Sequence, residues 1–290
     1  MKQKLIRIIN FFIPHRFFIV FCAGFFLSLT LVFKIDANYT EELFNQLGKH
    51  ILQEASLNHD NVEQTVIRAM DVTYGMQKEN RNNLFQYTPK SFKAKYMRSN
   101  DLDLLDATGA CGSASLVLAR TYMNMGFPTR IGQMYANGHF GGHILVEVWN
   151  NDRWMVMDPL FNQVFYRPDS SLASFSEVKN NFAYYSKQLH PEYPKIYQYQ
   201  DVRYTNWNKI PVLSPLLKKT LDIIYGEKRA NQFCLRKYVI KFYLLWHTVF
   251  LFLFACCAVF GIIQWWFSKK IEERITLTLP FLNRKGQLRC

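Results

Sequence analysis

Apolar residues form two long uninterrupted runs near the ends of the chain and only short, periodic groups between them. The first run covers residues 17–33 and the second covers residues 242–267, and neither contains a charged residue. Both are long enough for a membrane-spanning helix, the first at the lower limit. Trp246 near one end of the second run, and Trp265 and Trp266 at its other end, are typical of the aromatic belt of a span. The pattern therefore predicts two transmembrane helices.

The region between the two runs shows helical periodicity in some parts and none in others. Apolar spacing over residues 39–76 predicts two helices, with a break near residues 58–61. Residues 77–106 are polar and basic, and we expect a loop-rich segment there. Residues 166–212 are rich in Tyr, Pro, Asn and Lys without clear periodicity, which predicts irregular structure. A further helix is predicted over residues 214–226; it either lies along the membrane surface or packs on the domain.

The middle of the chain predicts a helix followed by a β-hairpin. Residues 113–125 lack Pro and Gly and end at Gly126, as a helix would. Residues 143–149 and 152–158 are rich in β-branched and aromatic residues, and the two Asn residues between them predict a two-residue turn. In that register His143 lies directly opposite Asp158. We therefore expect an α+β domain in which a helix packs on an antiparallel sheet.

The charge distribution indicates how the chain crosses the membrane. The chain has 290 residues and a net charge of +13, and its first 16 residues contain four basic and no acidic side chains. Because the cytoplasmic flank of a span is enriched in Lys and Arg, we expect residues 1–16 in the cytoplasm, residues 34–241 outside it and residues 268–290 again inside. In a bacterium this would be a plasma-membrane protein with a periplasmic domain.

Two alternatives bear on this topology. Residues 17–33 could be a cleaved signal peptide, which would still leave the central region outside the cytoplasm. The basic excess could indicate nucleic-acid binding, but the chain has no basic stretch interleaved with aromatic residues that would form a binding platform. We therefore expect a lipid bilayer, and no nucleic acid, among the partners.

Three residues of the central region have the chemistry of a thiol catalytic triad. A thiol becomes a nucleophile when a base removes its proton, and a third group must orient that base. Cys111 lies at the start of the predicted helix, where the helix dipole favours a thiolate and backbone N–H groups could receive an oxyanion. His143 and Asp158 supply the base and the orienting carboxylate. His139, in a glycine-rich loop, competes for the role of base.

The other cysteines and the metal-binding residue types offer alternatives to this hypothesis. Of six cysteines, Cys111 and Cys234 belong to the central region; a disulfide between them is an alternative that would bury the nucleophile. Cys, His and Asp are also zinc ligands, but the chain has no C-x-x-C or H-x-x-x-H spacing. We expect no metal and no cofactor. Arg130 is expected to anchor its strand, and Glu147 is either a second partner of His143 or an exposed carboxylate.

Four segments of this region resemble the transglutaminase-like superfamily, a branch of the papain-like cysteine enzymes. They are Gly109-Ala110-Cys111, Gly126-Phe127-Pro128-Thr129-Arg130, the segment from His143 to Glu147, and the segment from Trp154 to Asp158-Pro159. The resemblance covers roughly residues 60–165, and Leu145 departs from it because many members have Trp there. It implies a papain-like domain and acyl transfer through a Cys111 thioester, with His143 as general base and acid and Asp158 orienting it.

Two classes of function follow from these observations. The first is a membrane-anchored thiol enzyme that hydrolyses amide or peptide bonds, or transfers their acyl group to an amine, in a protein, peptide or glycopeptide outside the cytoplasm. The second is a non-catalytic module that uses the same cleft to bind a peptide or an envelope polymer within a membrane assembly. An intact Cys, His and Asp set favours the enzyme. The acyl acceptor and the oligomeric state stay open.

Overall fold

A computed structural model of the chain describes residues 2–81, 101, 103–104, 111–205, 207, 213–236 and 240–286. The longer helices are α1 (Lys2–Leu57), α2 (Val62–Arg81), α3 (Cys111–Asn124), α6 (Leu213–Tyr225) and α8 (Phe242–Gly286). Short helices are α4 (Phe175–Asn180), α5 (Phe182–Tyr185) and α7 (Glu227–Asn231). The strands are β1 (Thr129–Ala136), β2 (His139–Asn150), β3 (Arg153–Asp158), β4 (Gln163–Val164) and β5 (Val202–Arg203).

The chain divides into two units, one made of residues 1–37 and 243–290 and the other of residues 38–242. The first unit contains most of α8 and the N-terminal part of α1, and both helices are long and apolar enough to cross a membrane. Within it, the rings of Phe33 and Phe250 lie 5.3 Å apart, and the Nδ1 atom of His247 lies 3.1 Å from the carbonyl oxygen of Thr30.

The first predicted span does not end as a separate element. Residues 17–33 lie inside α1, which continues without a break to Leu57. No proline follows Pro14 within this helix, and the apolar spacing of residues 39–57 is itself helical, so no feature of the sequence stops the helix at the end of the apolar run. The break predicted near residues 58–61 is confirmed, because Asn61 caps α2 by accepting the N–H of Gln64 at 2.9 Å.

The second unit is α+β and contains a five-stranded antiparallel sheet in the order β4-β3-β2-β1-β5. The predicted helix over residues 113–125 is confirmed as α3. Gly126 follows it at φ +89°, and the N–H of Phe127 donates to the carbonyl of Tyr122 at 2.9 Å. The helix predicted at residues 214–226 is confirmed as α6. The predicted loop over residues 77–106 lies largely outside the described residues.

Both faces of the sheet are buried, each in its own core. One core contains Ile131, Val146 and Met157 from the sheet, packed with Val66 of α2 and Leu118 of α3. The other contains apolar side chains from the opposite face of the same strands and from the segment after β4, namely Met134, Leu145, Val156, Phe165, Phe175, Val178, Tyr193 and Tyr199. The sheet therefore lies between the α2 and α3 helices and a layer built by residues 165–199.

That second layer is more regular than the sequence analysis predicted. Residues 166–212 include α4, α5 and β5. Helix α4 begins with a capping box: Ser174 Oγ accepts the N–H of Glu177 at 3.2 Å, and Glu177 Oε2 accepts the N–H of Ser174 at 2.8 Å. The Ser-x-x-Glu spacing that produces this cap is present in the sequence. The prediction of a wholly irregular segment was therefore wrong.

Candidate active site

Cys111 is the first residue of α3 and is half-buried. The first N–H groups of an α-helix have no partner inside the helix, so Cys111 stands beside backbone donors and the positive end of the helix dipole. Its side chain packs against the core that lies between α3 and the sheet. The next residue faces open space, since a Cβ atom at Gly112 would meet no atom within 4 Å.

The hairpin that carries the other two predicted residues differs in register from the prediction. Asn150 pairs with Arg153, and the turn residues are Asn151 and Asp152 at φ +47° and +60°. Two successive positive φ angles are what a two-residue hairpin turn requires, and Asn and Asp tolerate them better than most residues. This register also places Trp149 opposite Trp154, with ring centres 5.1 Å apart.

The register error does not separate His143 from Asp158. Each residue of β2 pairs two positions further along β3 than predicted, so side chains stay on the same face. Continuing the ladder beyond Val146 and Met157 places Asp158 opposite Leu145, diagonal to His143. The side chains span that diagonal, because His143 Nε2 lies 2.7 Å from Asp158 Oδ2. The expectation of a direct cross-strand pair was wrong in register.

His143 is fully buried at 0% exposure. Because Nε2 is bonded to Asp158, the second ring nitrogen, Nδ1, is left for other chemistry; it is buried and has no hydrogen-bond partner among the described residues. Burial alone would lower the pKa of His143, but the charge and hydrogen bond of Asp158, followed by the influence of the nearby Cys111 side chain, raise this pKa to about 9. Cys111 is therefore close enough to interact electrostatically with the imidazole.

Asp158 is fixed by more than His143. Its Oδ2 atom also accepts the hydroxyl of Tyr193 at 2.6 Å, and its Oδ1 atom accepts the N–H of Leu160 at 3.2 Å. Tyr193 in turn lies 3.0 Å from the hydroxyl of Tyr199. Burial, followed by the negative charge of Asp158, raises the pKa of Tyr193, which keeps its hydroxyl a donor. The carboxylate is thus held from three sides.

Tyr197 covers the imidazole itself. Its ring stacks on that of His143 with centres 4.2 Å apart and planes 17° apart, and Phe161 lies at 5.9 Å. Burial, followed by the charges of Cys111 and Asp158, raises the pKa of Tyr197. Tyr193 and Tyr197 were not among the predicted site residues, although the cluster of tyrosines in residues 193–199 was a visible signal. The layer on the second face of the sheet therefore completes the site.

The remaining candidates lie elsewhere. His139 is exposed and its Nδ1 lies 3.1 Å from the carbonyl oxygen of Asn137, so it does not replace His143 as partner of Asp158. Glu147 is bonded at 2.8 Å to Arg130, its direct cross-strand neighbour. Arg130 lies between the rings of Trp154 and Tyr204, at 4.0 and 3.8 Å from their centres. These two residues form a structural pair.

Neither a disulfide nor a metal site accompanies the triad in the described part of the chain. Cys111 and Cys234 are both free thiols, and Cys234 instead contacts the backbone N–H of Ile131 at 3.5 Å. Among the described residues, no group of three or more His, Cys, Asp and Glu side chains is arranged to hold a metal ion.

Comparisons with protein-family models, with curated proteins and with solved structures give no match to this chain. No relative therefore lends it a function, and its chemistry has to be inferred from the site.

Proposed function

We propose that the protein is a membrane-anchored thiol enzyme that cleaves or transfers acyl groups of amide or peptide bonds through a Cys111 thioester. The observation that supports this most is the buried imidazole of His143, with Nε2 bonded to Asp158, Nδ1 without a partner among described residues, and Cys111 within electrostatic reach. A base that is oriented on one side and free on the side of a thiol is the arrangement that activates a nucleophile.

The first half of the proposed reaction forms the thioester. His143 Nδ1 takes the proton of the Cys111 thiol, and the thiolate sulfur bonds to the substrate carbonyl carbon. The carbonyl π electrons move to oxygen, where the backbone N–H groups at the start of α3 can stabilise them. The tetrahedral intermediate then collapses, the carbonyl re-forms, the C–N bond breaks, and His143 gives its proton to the leaving amine.

The second half regenerates the thiol. Water or an amine attacks the thioester carbon while His143 Nδ1 takes its proton. The C–S bond breaks, and the proton returns from His143 to the sulfur of Cys111. Asp158 stays ionised throughout and holds Nε2, which keeps the tautomer in which Nδ1 can accept a proton. Tyr193 and Leu160 fix Asp158 in turn.

The family resemblance adds to this proposal. In the structure, the segment from Gly126 to Arg130 connects α3 to β1, and the segment from Trp154 to Asp158 forms β3. A Cys at a helix start followed by His and Asp on neighbouring antiparallel strands is the order that a papain-like, transglutaminase-like domain has. We therefore propose this fold family for residues 60–165.

The proposed location follows from the two apolar helices and the charges beside them. Lys2, Lys4, Arg7 and Arg16 precede the first apolar run. We propose that this end is cytoplasmic and that the site faces the other side of the membrane, where it meets a protein, peptide or glycopeptide.

Alkylation of Cys111 tests the proposal without knowledge of the substrate. The full chain in neutral detergent is treated with iodoacetamide at several pH values, and the modified Cys111 peptide is followed by mass spectrometry. An activated thiol reacts rapidly at pH 6, well below the value of about 8.5 for a free thiol. His143→Gln should remove that reactivity, whereas His139→Gln, the matched control, should leave it unchanged.

The second class of function makes a different prediction. A binding module needs no activated thiol, so Cys111 would then react as slowly as an ordinary cysteine at pH 6, with or without His143. That result would replace the enzyme proposal with the binding module.

A further inference from the structure

Two arginines are held next to each other by a hydrogen-bonded threonine. The hydroxyl of Thr205 accepts the N–H of Leu235 at 3.0 Å and also donates to the carbonyl of Phe233. Thr205 follows Arg203 by two residues, and Leu235 immediately precedes Arg236. The end of β5 and the segment after α7 are therefore tied together at the position of Arg203 and Arg236.

Arg203 lies on the side of the sheet on which α3 packs. Gln133 of β1 pairs with Ile144 on one side and with Arg203 on the other, so the three residues form one row across the sheet. Ile144 belongs to the α3 side, where its carbonyl accepts the hydroxyl of Ser115 at 2.9 Å. Ser115 lies one turn after Cys111. The row therefore extends from the start of α3 to Arg203.

The positive charges of this pair have no carboxylate partner within the described part of the chain. Neither Arg203 nor Arg236 forms an ion pair there, in contrast to Arg120, Arg130 and Arg153. The Nε atom of Arg203 is buried without a hydrogen bond, and its guanidinium lies 4.8 Å from the ring centre of Phe140.

The electrostatics of Arg236 connect it to the nucleophile. Burial lowers the pKa of Arg236, the sulfurs of Cys234 and Cys111 oppose that change, and the charge of Arg203 lowers the pKa further. Two partly buried, mutually repelling guanidinium groups are stabilised when an anion binds between them.

We propose that Arg203 and Arg236 form an anion-accepting subsite beside Cys111, and that the acyl donor carries a carboxylate near the bond that is attacked. A guanidinium binds a planar carboxylate with two parallel hydrogen bonds, which makes carboxylate the best match. This inference rests on the proposed function and deepens it by naming a substrate class.

The experiment compares two alkylating reagents that differ in charge. Iodoacetate is anionic and iodoacetamide is neutral, and each is applied to the full chain in neutral detergent at low ionic strength. We expect the iodoacetate-to-iodoacetamide rate ratio at Cys111 to exceed that of glutathione by about threefold to tenfold, and to fall as salt screens the arginines. Arg236→Gln and Arg203→Gln should each lower the ratio, while Arg167→Gln, a half-buried control that pairs with Glu177, should not.

The outcomes separate the two proposals. A Cys111 that is reactive at pH 6 and depends on His143, but shows the ratio of glutathione and no response to salt, overturns the subsite and keeps the enzyme. A Cys111 that behaves as an ordinary thiol overturns both. The salt response of the unmodified chain and the charge-preserving Arg236→Lys variant give the answer even if a glutamine variant does not fold.

Small carboxylates then identify the source of the anion. Acetylglycine offers a free terminal carboxylate, and the α-amide of N-acetylglutamate offers a side-chain carboxylate. The one that slows iodoacetamide alkylation of Cys111 more strongly, in a manner lost in Arg236→Gln, defines the class; N-acetylglutamine amide is the neutral control. Equal weak protection by all three would contradict the subsite.

A second, independent observation concerns α6. Its apolar side chains face outward: Ile223 is 77% exposed, and Leu216 and Ile224 are each 61% exposed. At helical spacing these residues share one face with Leu217 and Thr220, and Leu221 is the buried apolar residue of this helix. The polar residues Lys218 and Asp222, paired at 2.9 Å, lie on the opposite side and are half-buried.

This orientation is the reverse of that of a helix packed on a soluble domain, whose apolar face is buried. A contiguous exposed apolar face marks an interaction surface. Helix α6 carries Lys218 and Lys219 and ends with Tyr225. It precedes Phe242, the start of an apolar helix long enough to cross a membrane, by 17 residues. Apolar residues on one face with Lys and an interfacial aromatic beside them suit a lipid surface.

We infer that α6 lies on the bilayer surface with Leu216, Ile223 and Ile224 in contact with lipid. To test this, the photoreactive residue benzoylphenylalanine is placed at Ile223 of the full chain, which is reconstituted in vesicles of phosphatidylcholine and phosphatidylglycerol. Irradiation should give a lipid adduct, and the same residue at Lys218 on the opposite face should give several-fold less. A cross-link to a second copy of the chain, or no lipid adduct at Ile223, would overturn this inference.

Discussion

Two buried pairs of opposite charge bridge neighbouring strands on one face of β2, and they differ most in whether the basic side chain can exchange its proton. Glu147 is bonded to Arg130 directly across the ladder, and Arg130 is enclosed by Trp154 and Tyr204. His143 is bonded to Asp158 along a diagonal, and one of its two ring nitrogens stays without a partner among described residues. A guanidinium cannot release its proton at physiological pH, whereas an imidazole can. Burial and pairing alone therefore do not make a site.

Asp158→Asn should produce the largest effect on this comparison. Without the carboxylate, burial of His143 opposes its protonated form, so the imidazolium that would support a Cys111 thiolate is lost. We expect iodoacetamide alkylation of Cys111 at pH 6 to slow on the order of a hundredfold. Glu147→Gln, which removes the carboxylate of the other pair, should leave that rate within about twofold when the protein is folded; equal effects of both variants would erase the distinction between the pairs.

Arg130→Met should affect stability instead. It leaves Glu147 buried at 2% exposure without its partner, and breaking a buried pair in this way costs about 3 to 5 kcal/mol of unfolding free energy. Chemical unfolding of the chain in detergent measures the loss. The double variant Arg130→Met with Glu147→Leu should recover much of it, because no uncompensated charge remains. A loss no larger than that of a surface substitution would show that the pair is not structural.

The pH dependence of stability should also separate the two pairs. The pKa of His143 is about 9 in the folded protein and about 6.5 when unfolded. A raised pKa means that the stabilisation is complete below pH 6.5 and disappears as the pH rises through 9, a change on the order of 3 kcal/mol. Thermal unfolding across this window should show the slope in the natural chain and not in His143→Gln. The Arg130→Met variant should retain it.

Tyr193→Phe should have the smallest effect. It removes the 2.6 Å hydrogen bond to Asp158 and leaves the ring in place, at a cost of about 1 to 2 kcal/mol because the acceptor is charged. We expect Cys111 alkylation at pH 6 to slow by about threefold to tenfold, with the pH profile shifted toward higher pH, because a less stabilised imidazolium at His143 supports the thiolate less. Tyr185→Phe, in the same aromatic layer, is the matched control. An unchanged profile would mean that Asp158 is fixed by Leu160 and His143 alone.

The local elements of the fold were predictable because their signals are local. The start of α3 at Cys111, its stop at Gly126 and the existence of the β2–β3 hairpin all follow from residues within each element. The register failed because Asn150-Asn151 and Asn151-Asp152 are both acceptable turns. The pairing of Trp149 with Trp154, a cross-strand contact, favours the second.

The site residues that could not be predicted from the sequence are brought to the site by contacts between segments that are far apart along the chain. Tyr193 and Tyr197 reach His143 and Asp158 from about 35 to 54 residues further along the chain, and periodicity within residues 186–199 says nothing about where that segment packs. For helix α6 the local pattern was visible in the sequence, because its apolar residues recur at helical spacing. Only the structure reveals that this apolar face is exposed. The sequence pattern of a helix predicts which of its faces is apolar, whereas tertiary packing determines whether that face is buried or exposed.

The stacking of Tyr197 on the imidazole of His143 has a consequence for the order of events in the proposed reaction. A ring that is stacked under Tyr197 and bonded through Nε2 cannot rotate about its Cβ–Cγ bond without breaking the hydrogen bond to Asp158 and moving Nδ1 away from its position. The nitrogen that receives a proton from sulfur is then the same one that delivers it to the departing amine. Nδ1 of His143 therefore both accepts and donates the proton. The nitrogen of the leaving group has to approach Nδ1 at the position from which the thiol proton came.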